Sequence, residues 1–110
     1  MENVVKFSEW QKLDLRVGEI LEVSEIAGKD RLYKLKVDVG REITLVAGIK
    51  KYYSKDELMG KKIIVIANLE PAKLGGIISE GMLLAAGNKE TDECVILTID
   101  GKAKNGTRIS

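Results

Sequence analysis

The chain has 110 residues, of which 45% are apolar and 32% charged, with a formal net charge of +1. This length suits one domain, read as residues 1–110, with a core that needs neither metal nor disulfide. The near-neutral balance excludes a chain that is basic overall, so any basic patch must be local, and the absence of histidine excludes histidine triads and the usual zinc sites.

The first predicted strand runs from about Asp14 to Glu25. Leu13, Leu15 and Val17 share one parity, and after Gly18 both faces become apolar with Ile20, Leu21 and Val23. A glycine where the alternation slips suggests a bulge or bend at that point. The second strand lies in "RLYKLKVDVG". Tyr33, Leu35, Val37 and Val39 form a core face, and Lys34 and Lys36 point outward together. Lys29 and Arg31 fall in the turn before it. "GRE", Gly40 to Glu42, turns the chain into a third strand, "ITLVAGI", as a hairpin.

"YSKDELMGKK" predicts a short helix. Ser54 and Glu57 have capping-box spacing, Asp56 and Glu57 suit the positive end of the dipole, and Gly60 suits the exit. "KIIVIANL" is a fourth strand, apolar on both faces and therefore central. "EPAKLGG" reads as a loop. "MLLAA" and "CVILTI" read as two strands joined by "GNKETDE", with a last short strand at Thr107–Ile109. The single cysteine, Cys94, lies in the apolar "CVILTI" run and reads as a buried structural thiol in a reducing compartment.

Strands, a helix after the third strand, then further strands are the pattern of a five-stranded Greek-key OB-fold barrel with one helical insert and terminal extensions. An SH3-like barrel is the alternative. No segment has the length of a membrane span, no secretory signal core opens the chain, and the expected location is cytoplasmic. Phosphate-cradling glycine motifs are missing. The adjacent carboxylates Asp56/Glu57 and Asp92/Glu93 lie in short polar segments suited to solvated loops or helix starts. We therefore expect no catalytic residues, no cofactor and no metal.

Lys29, Arg31, Lys34 and Lys73 are the cations a barrel of this kind could gather into a local groove for phosphates. Only Phe7, Trp10, Tyr33, Tyr52 and Tyr53 are aromatic, which gives no platform for stacking successive bases. A folded RNA read through shape and backbone fits that composition better than a bare single strand.

The stretches "DLRVGEI", "KVDVG", "GKKIIVIANLEPAKLGG" and "SEGMLLAA", taken in order, resemble the tRNA-binding domain family. Its members include the C-terminal domain or β-subunit of methionyl-tRNA synthetases, free-standing dimeric tRNA-binding proteins and small secretion chaperones. The resemblance implies a non-catalytic, structure-specific tRNA-binding module. Its partners would be tRNA, a second copy of the chain and a methionyl-tRNA synthetase catalytic subunit. The chaperone branch supplies the alternative, a dimer that binds unfolded polypeptide.

The resemblance carries a tRNA-binding role to Asn68, Ser79 and Met82, and in kind to Lys29, Arg31, Lys34 and Lys73. Gly75, Gly76 and Gly81 would let the backbone approach the ligand or turn tightly. Asn68 could equally cap a strand end, Ser79 bond its own turn, and Met82 face the core. The dimer candidates are Val4–Trp10 and the tail beyond Asp100, with Trp10 either anchoring the interface or closing its own barrel. The chain departs from the family at "IAGKDR", where many members have a His-Pro-Asn-Ala-Asp-Lys-like turn, and at Ala47, where many have serine.

Overall fold

A computed structural model describes residues 3–110. A short helix α1 (Phe7–Trp10) precedes the long strand β1 (Leu15–Ile26), which pairs with β2 (Lys29–Asp38), and β2 pairs with β3 (Glu42–Ala47). Helix α2 (Lys55–Leu58) leads into β4 (Lys62–Ile66), which returns to the other edge of β1. Then come β5 (Ala72–Leu74), β6 (Ile77–Ser79), β7 (Met82–Leu83), β8 (Ala85–Asn88), β9 (Glu93–Ile96) and β10 (Arg108–Ile109). The main sheet runs β3-β2-β1-β4-β7, with β10 on β1. This is the expected all-β, five-strand path with a helix between the third and fourth strands.

The core face of the second strand is the one the alternation marked, since Tyr33, Leu35, Val37 and Val39 are buried. In the first strand Leu15 and Val17 are buried but Leu13 is exposed. Ile20, Leu45, Ile63 and Val65 are fully buried with them, and Leu58 of α2 joins the same core. Each such side chain contributes about 1.5–3 kcal/mol on burial. Helix α2 carries the full capping box. The Ser54 hydroxyl accepts from Glu57 N and the Glu57 carboxylate accepts from Ser54 N. Tyr33 is buried and donates through its hydroxyl to the Tyr53 carbonyl, while the Tyr53 hydroxyl accepts from Ile96 N. Cys94 is half-buried against this core.

Four local expectations need correction. The slip in β1 lies between Ile20 and Glu22. Gly18 is glycine for space, because a Cβ there would stand 2.8 Å from Val37 Cγ1 inside the barrel. "EPAKLGG" is half of a hairpin: Gly75 (φ +59°) and Gly76 (φ +82°) make the two-residue turn joining β5 to β6. "MLLAA" divides into β7, which pairs with β4, and β8, which pairs with β9. Lys29 and Arg31 lie on β2 itself. Asp30–Leu32 bulge out between pairs that are consecutive on β1, Glu25↔Tyr33 and Ile26↔Lys29. The helix α1 had no counterpart among the predicted elements. No helix among the described residues is long and apolar enough to cross a membrane.

Candidate nucleic-acid interface

The sheet leaves a gap between β3 and β7, and the "SEG" segment spans it. Glu80 N donates to the Thr44 carbonyl (2.8 Å), and Thr44 N donates to Glu80 Oε2 (2.6 Å). Val46 N donates to Ser79 Oγ (3.0 Å), and that hydroxyl donates to the Gly81 carbonyl (3.0 Å). Two side-chain oxygens thus take the place of strand carbonyls along the edge of β3.

This arrangement changes the reading of three residues. Ser79 is 4% exposed, and its hydroxyl is spent on hydrogen bonds inside the protein. Asn68 is exposed, but its Oδ1 accepts from Asp14 N (2.8 Å) and its Nδ2 donates to the Lys12 carbonyl (2.7 Å). It ties the end of β4 to the segment entering β1, which is the capping role. Gly81 is glycine because a Cβ would stand 2.6 Å from the Ile66 carbonyl oxygen, so it serves packing and not ligand approach. Met82 has the opposite fate. It is 50% exposed, which decides between ligand face and core in favour of the outside.

Met82 lines a groove of about 260 Å³ with Val46, Gly48 and Leu74. The β5–β6 hairpin forms one wall. Its tip folds onto the β1–β2 end, where a Cβ on Gly75 would meet Leu32 at 3.0 Å and Lys29 Cγ at 3.5 Å. Lys29 therefore stands beside the hairpin that carries Lys73. Lys34 is directly opposite Val46 in the β2–β3 ladder, and cross-strand partners share a face. Lys34 thus flanks the same groove. Arg31 projects from the bulge, and its carbonyl accepts from Lys50 N (3.3 Å).

Ion pairs occupy a minority of the cations among the described residues. Lys36 stands 3.8 Å from Glu22, Lys50 3.0 Å from Glu25, Lys51 2.7 Å from Asp92 and Lys62 3.4 Å from Glu19. Among the described residues, Lys29, Arg31, Lys34 and Lys73 have no carboxylate within 4.0 Å, and the same holds for other surface cations such as Lys61, Lys89 and Arg108. Asp92 also accepts from the Tyr52 hydroxyl (2.8 Å). The hydrogen bonds from Lys51 and Tyr52 hold the Asp92 carboxyl below the usual range, and the same contact with Asp92 raises Lys51 and Tyr52. This cluster latches the segment after β3 to the β8–β9 hairpin. Sequence reasoning missed both the latch and the seam, because each joins residues more than thirty positions apart.

At the termini, Trp10 is 39% exposed and lines a groove with Phe7, Leu13, Arg108 and Ile109.

A small β-barrel that carries cations beside a short apolar groove has the surface chemistry to suit an anionic, partly apolar ligand. The profile of the putative tRNA binding domain family matches residues 15–108, and the chain belongs to that family. It is 53% identical over 106 residues to a methionine–tRNA ligase of Thermococcus onnurineus, which covers 96% of this chain and 14% of the ligase. The chain therefore spans a small part of the curated relatives it matches. A MetRS related protein from Pyrococcus horikoshii superposes with a TM-score of 0.91 at 32% identity, over all of both chains. A CsaA chaperone protein from Picrophilus torridus superposes with a TM-score of 0.87 at 35% identity, over 97% of this chain and 100% of that one.

Proposed function

We propose that the chain is a non-catalytic, structure-specific tRNA-binding module, one domain over residues 1–110. It works in the cytoplasm, free-standing or as the β-subunit of a methionyl-tRNA synthetase. The observation that carries this is the family match over 15–108, supported by Lys29, Lys34 and Lys73 beside the groove that Met82 lines. Lys29, Arg31, Lys34 and Lys73 meet phosphates, which position an RNA without reading its sequence. Met82 lies against an exposed base, since a soft thioether adapts to a flat apolar face. Ser79 and Asn68 act indirectly by holding the backbone under Met82 and at the end of β4. A homodimer through Val4–Trp10 and the C-terminal tail is favoured by the exposed Val4, Val5 and Phe7 beside the Trp10 groove.

The test compares binding of folded tRNA, the same tRNA unfolded, and an unrelated RNA duplex. Preference for the folded tRNA is expected, and equal affinity for all three contradicts structure-specific recognition. The second reading, a chaperone for unfolded polypeptide, is favoured by the likeness to CsaA and by the exposed Leu74, Ile78 and Met82. Binding of a reduced, unfolded protein in competition with tRNA would support it, and no such binding removes it.

A further inference from the structure

Four glycines have backbone conformations that any residue adopts: Gly18, Gly48, Gly81 and Gly87. Two of them are forced by space, because a Cβ would clash at 2.8 Å at Gly18 and at 2.6 Å at Gly81. The other two are not. A Cβ on Gly48 would meet nothing closer than 3.8 Å, and a Cβ on Gly87 only the Glu93 carbonyl at 3.8 Å. A glycine inside a strand weakens it, and Gly87 sits within β8 opposite Cys94 with no structural demand for its identity.

These two glycines line the same cleft. It holds about 400 Å³ between the segment after β3 and the β8–β9 hairpin, with Tyr52, Asn88 and Cys94 on its walls. The Tyr52 ring is fixed: its hydroxyl donates to Asp92, and Lys51 Nζ stands 5.7 Å from the ring centroid. Gly48 also lines the Met82 groove, so the cleft continues that groove past the end of β3.

The charges on the cleft walls suit an uncharged occupant. Asp92 is neutralised by Lys51, with the Arg31 charge also nearby, and Lys89 and Glu93 oppose each other in sign. A phosphate gains little there, whereas a flat heterocycle gains an anchored ring, a half-buried thiol and two stretches of bare backbone. Resting on the tRNA-binding reading above, we propose that the Gly48–Gly87 cleft receives the base of one unpaired nucleotide of the RNA whose phosphates lie along the Lys29–Lys73 face. Gly48 and Gly87 are kept small so that the base can enter, and Tyr52 is its stacking partner. Sequence composition pointed to no run of stacking aromatics, and a single anchored ring is consistent with that.

The experiment measures affinity for folded tRNA at several salt concentrations with the wild type, Gly87→Val and Gly48→Ala. Valine suits an exposed strand position, so Gly87→Val is expected to melt no lower than the wild type. Filling the cleft should weaken tRNA binding at least fivefold, as loss of one base–aromatic contact does. The salt slope should not change, because no phosphate contact is lost. Binding to a fully paired duplex should be unaffected. Gly48→Ala should act in the same direction, and it decides the matter if Gly87→Val does not fold. Unchanged tRNA affinity in a folded variant, with the wild type binding, overturns the cleft assignment and leaves the tRNA reading standing. So does an equal loss on the duplex, or a shift in oligomeric state without loss of affinity, which would assign the cleft to a second copy. Absence of wild-type tRNA binding overturns both.

Discussion

Ser79 spends its hydroxyl on Val46 N and the Gly81 carbonyl, while Met82, three positions on, reaches solvent. The two side chains should therefore fail in different ways. Ser79→Ala leaves a buried amide on β3 without its acceptor, at a cost of about 1–3 kcal/mol. It should lower the denaturation midpoint while the folded fraction still binds tRNA. Met82→Ala removes an exposed side chain and should leave stability within about 0.5 kcal/mol of the wild type. Its tRNA affinity should fall instead. Paired denaturation and binding titrations separate the two, and the double variant would blur them. The anomaly of "SEG" inside an apolar run was legible in the sequence. Which way the serine points was not, because that depends on β3 lying across from it, and β3 is more than thirty residues upstream.

Between elements, the Lys51–Tyr52–Asp92 latch joins the segment after β3 to the β8–β9 hairpin and shapes the wall of the Gly48–Gly87 cleft. Asp92 has φ +54°, a conformation asparagine also accepts, so Asp92→Asn removes the charge without new backbone strain. The Asp92 pKa is lowered in the fold. Its pairing thus stabilises the hairpin above the ordinary carboxylate range and is lost as pH falls through the lowered value, below about pH 4. Lys51 is raised, so its share is present below its ordinary value and is lost only as pH rises beyond about 10. Hydrogen exchange should accordingly show β8–β9 amides with constant protection across neutral pH and loosened protection in acid. Asp92→Asn should abolish that acid step. An acid step that persists in the variant would show that another group holds the hairpin.

The elements themselves were largely legible. Period-two alternation placed Tyr33, Leu35, Val37 and Val39 inside, and Ser54 with Glu57 located α2. The β5–β6 hairpin was missed because its strands are three residues each, too short for alternation to register, although Gly75-Gly76 is a hairpin turn pair. The break between β7 and β8 was missed because "MLLAA" carries no turn residue at the point where its pairing passes from β4 to β9.

For the whole molecule, a net charge of +1 gives no long-range reason to bind a polyanion, so affinity must come from cations kept free at one place. Many surface cations among the described residues lack a carboxylate partner, Lys61 and Lys89 among them, so placement is what distinguishes a local group. Lys29 stands beside the β5–β6 hairpin that carries Lys73, and Lys34 lies opposite Val46 of the Met82 groove. The sequence pointed to Lys29, Arg31, Lys34 and Lys73 by strand position and family resemblance. It could not distinguish paired from unpaired lysines, because Glu22 reaches Lys36 across the β1–β2 ladder, and Glu25 and Asp92 meet Lys50 and Lys51 only once the chain is folded. The measurement that bears most directly on this account is the salt dependence of folded-tRNA binding. It should be made for the wild type and for the variant in which Lys29, Arg31, Lys34 and Lys73 are all replaced by Gln. Four phosphate contacts predict a wild-type slope of about −3 in log K against log salt, nearly abolished in a variant that remains folded. A folded variant that keeps the wild-type affinity and slope would contradict it.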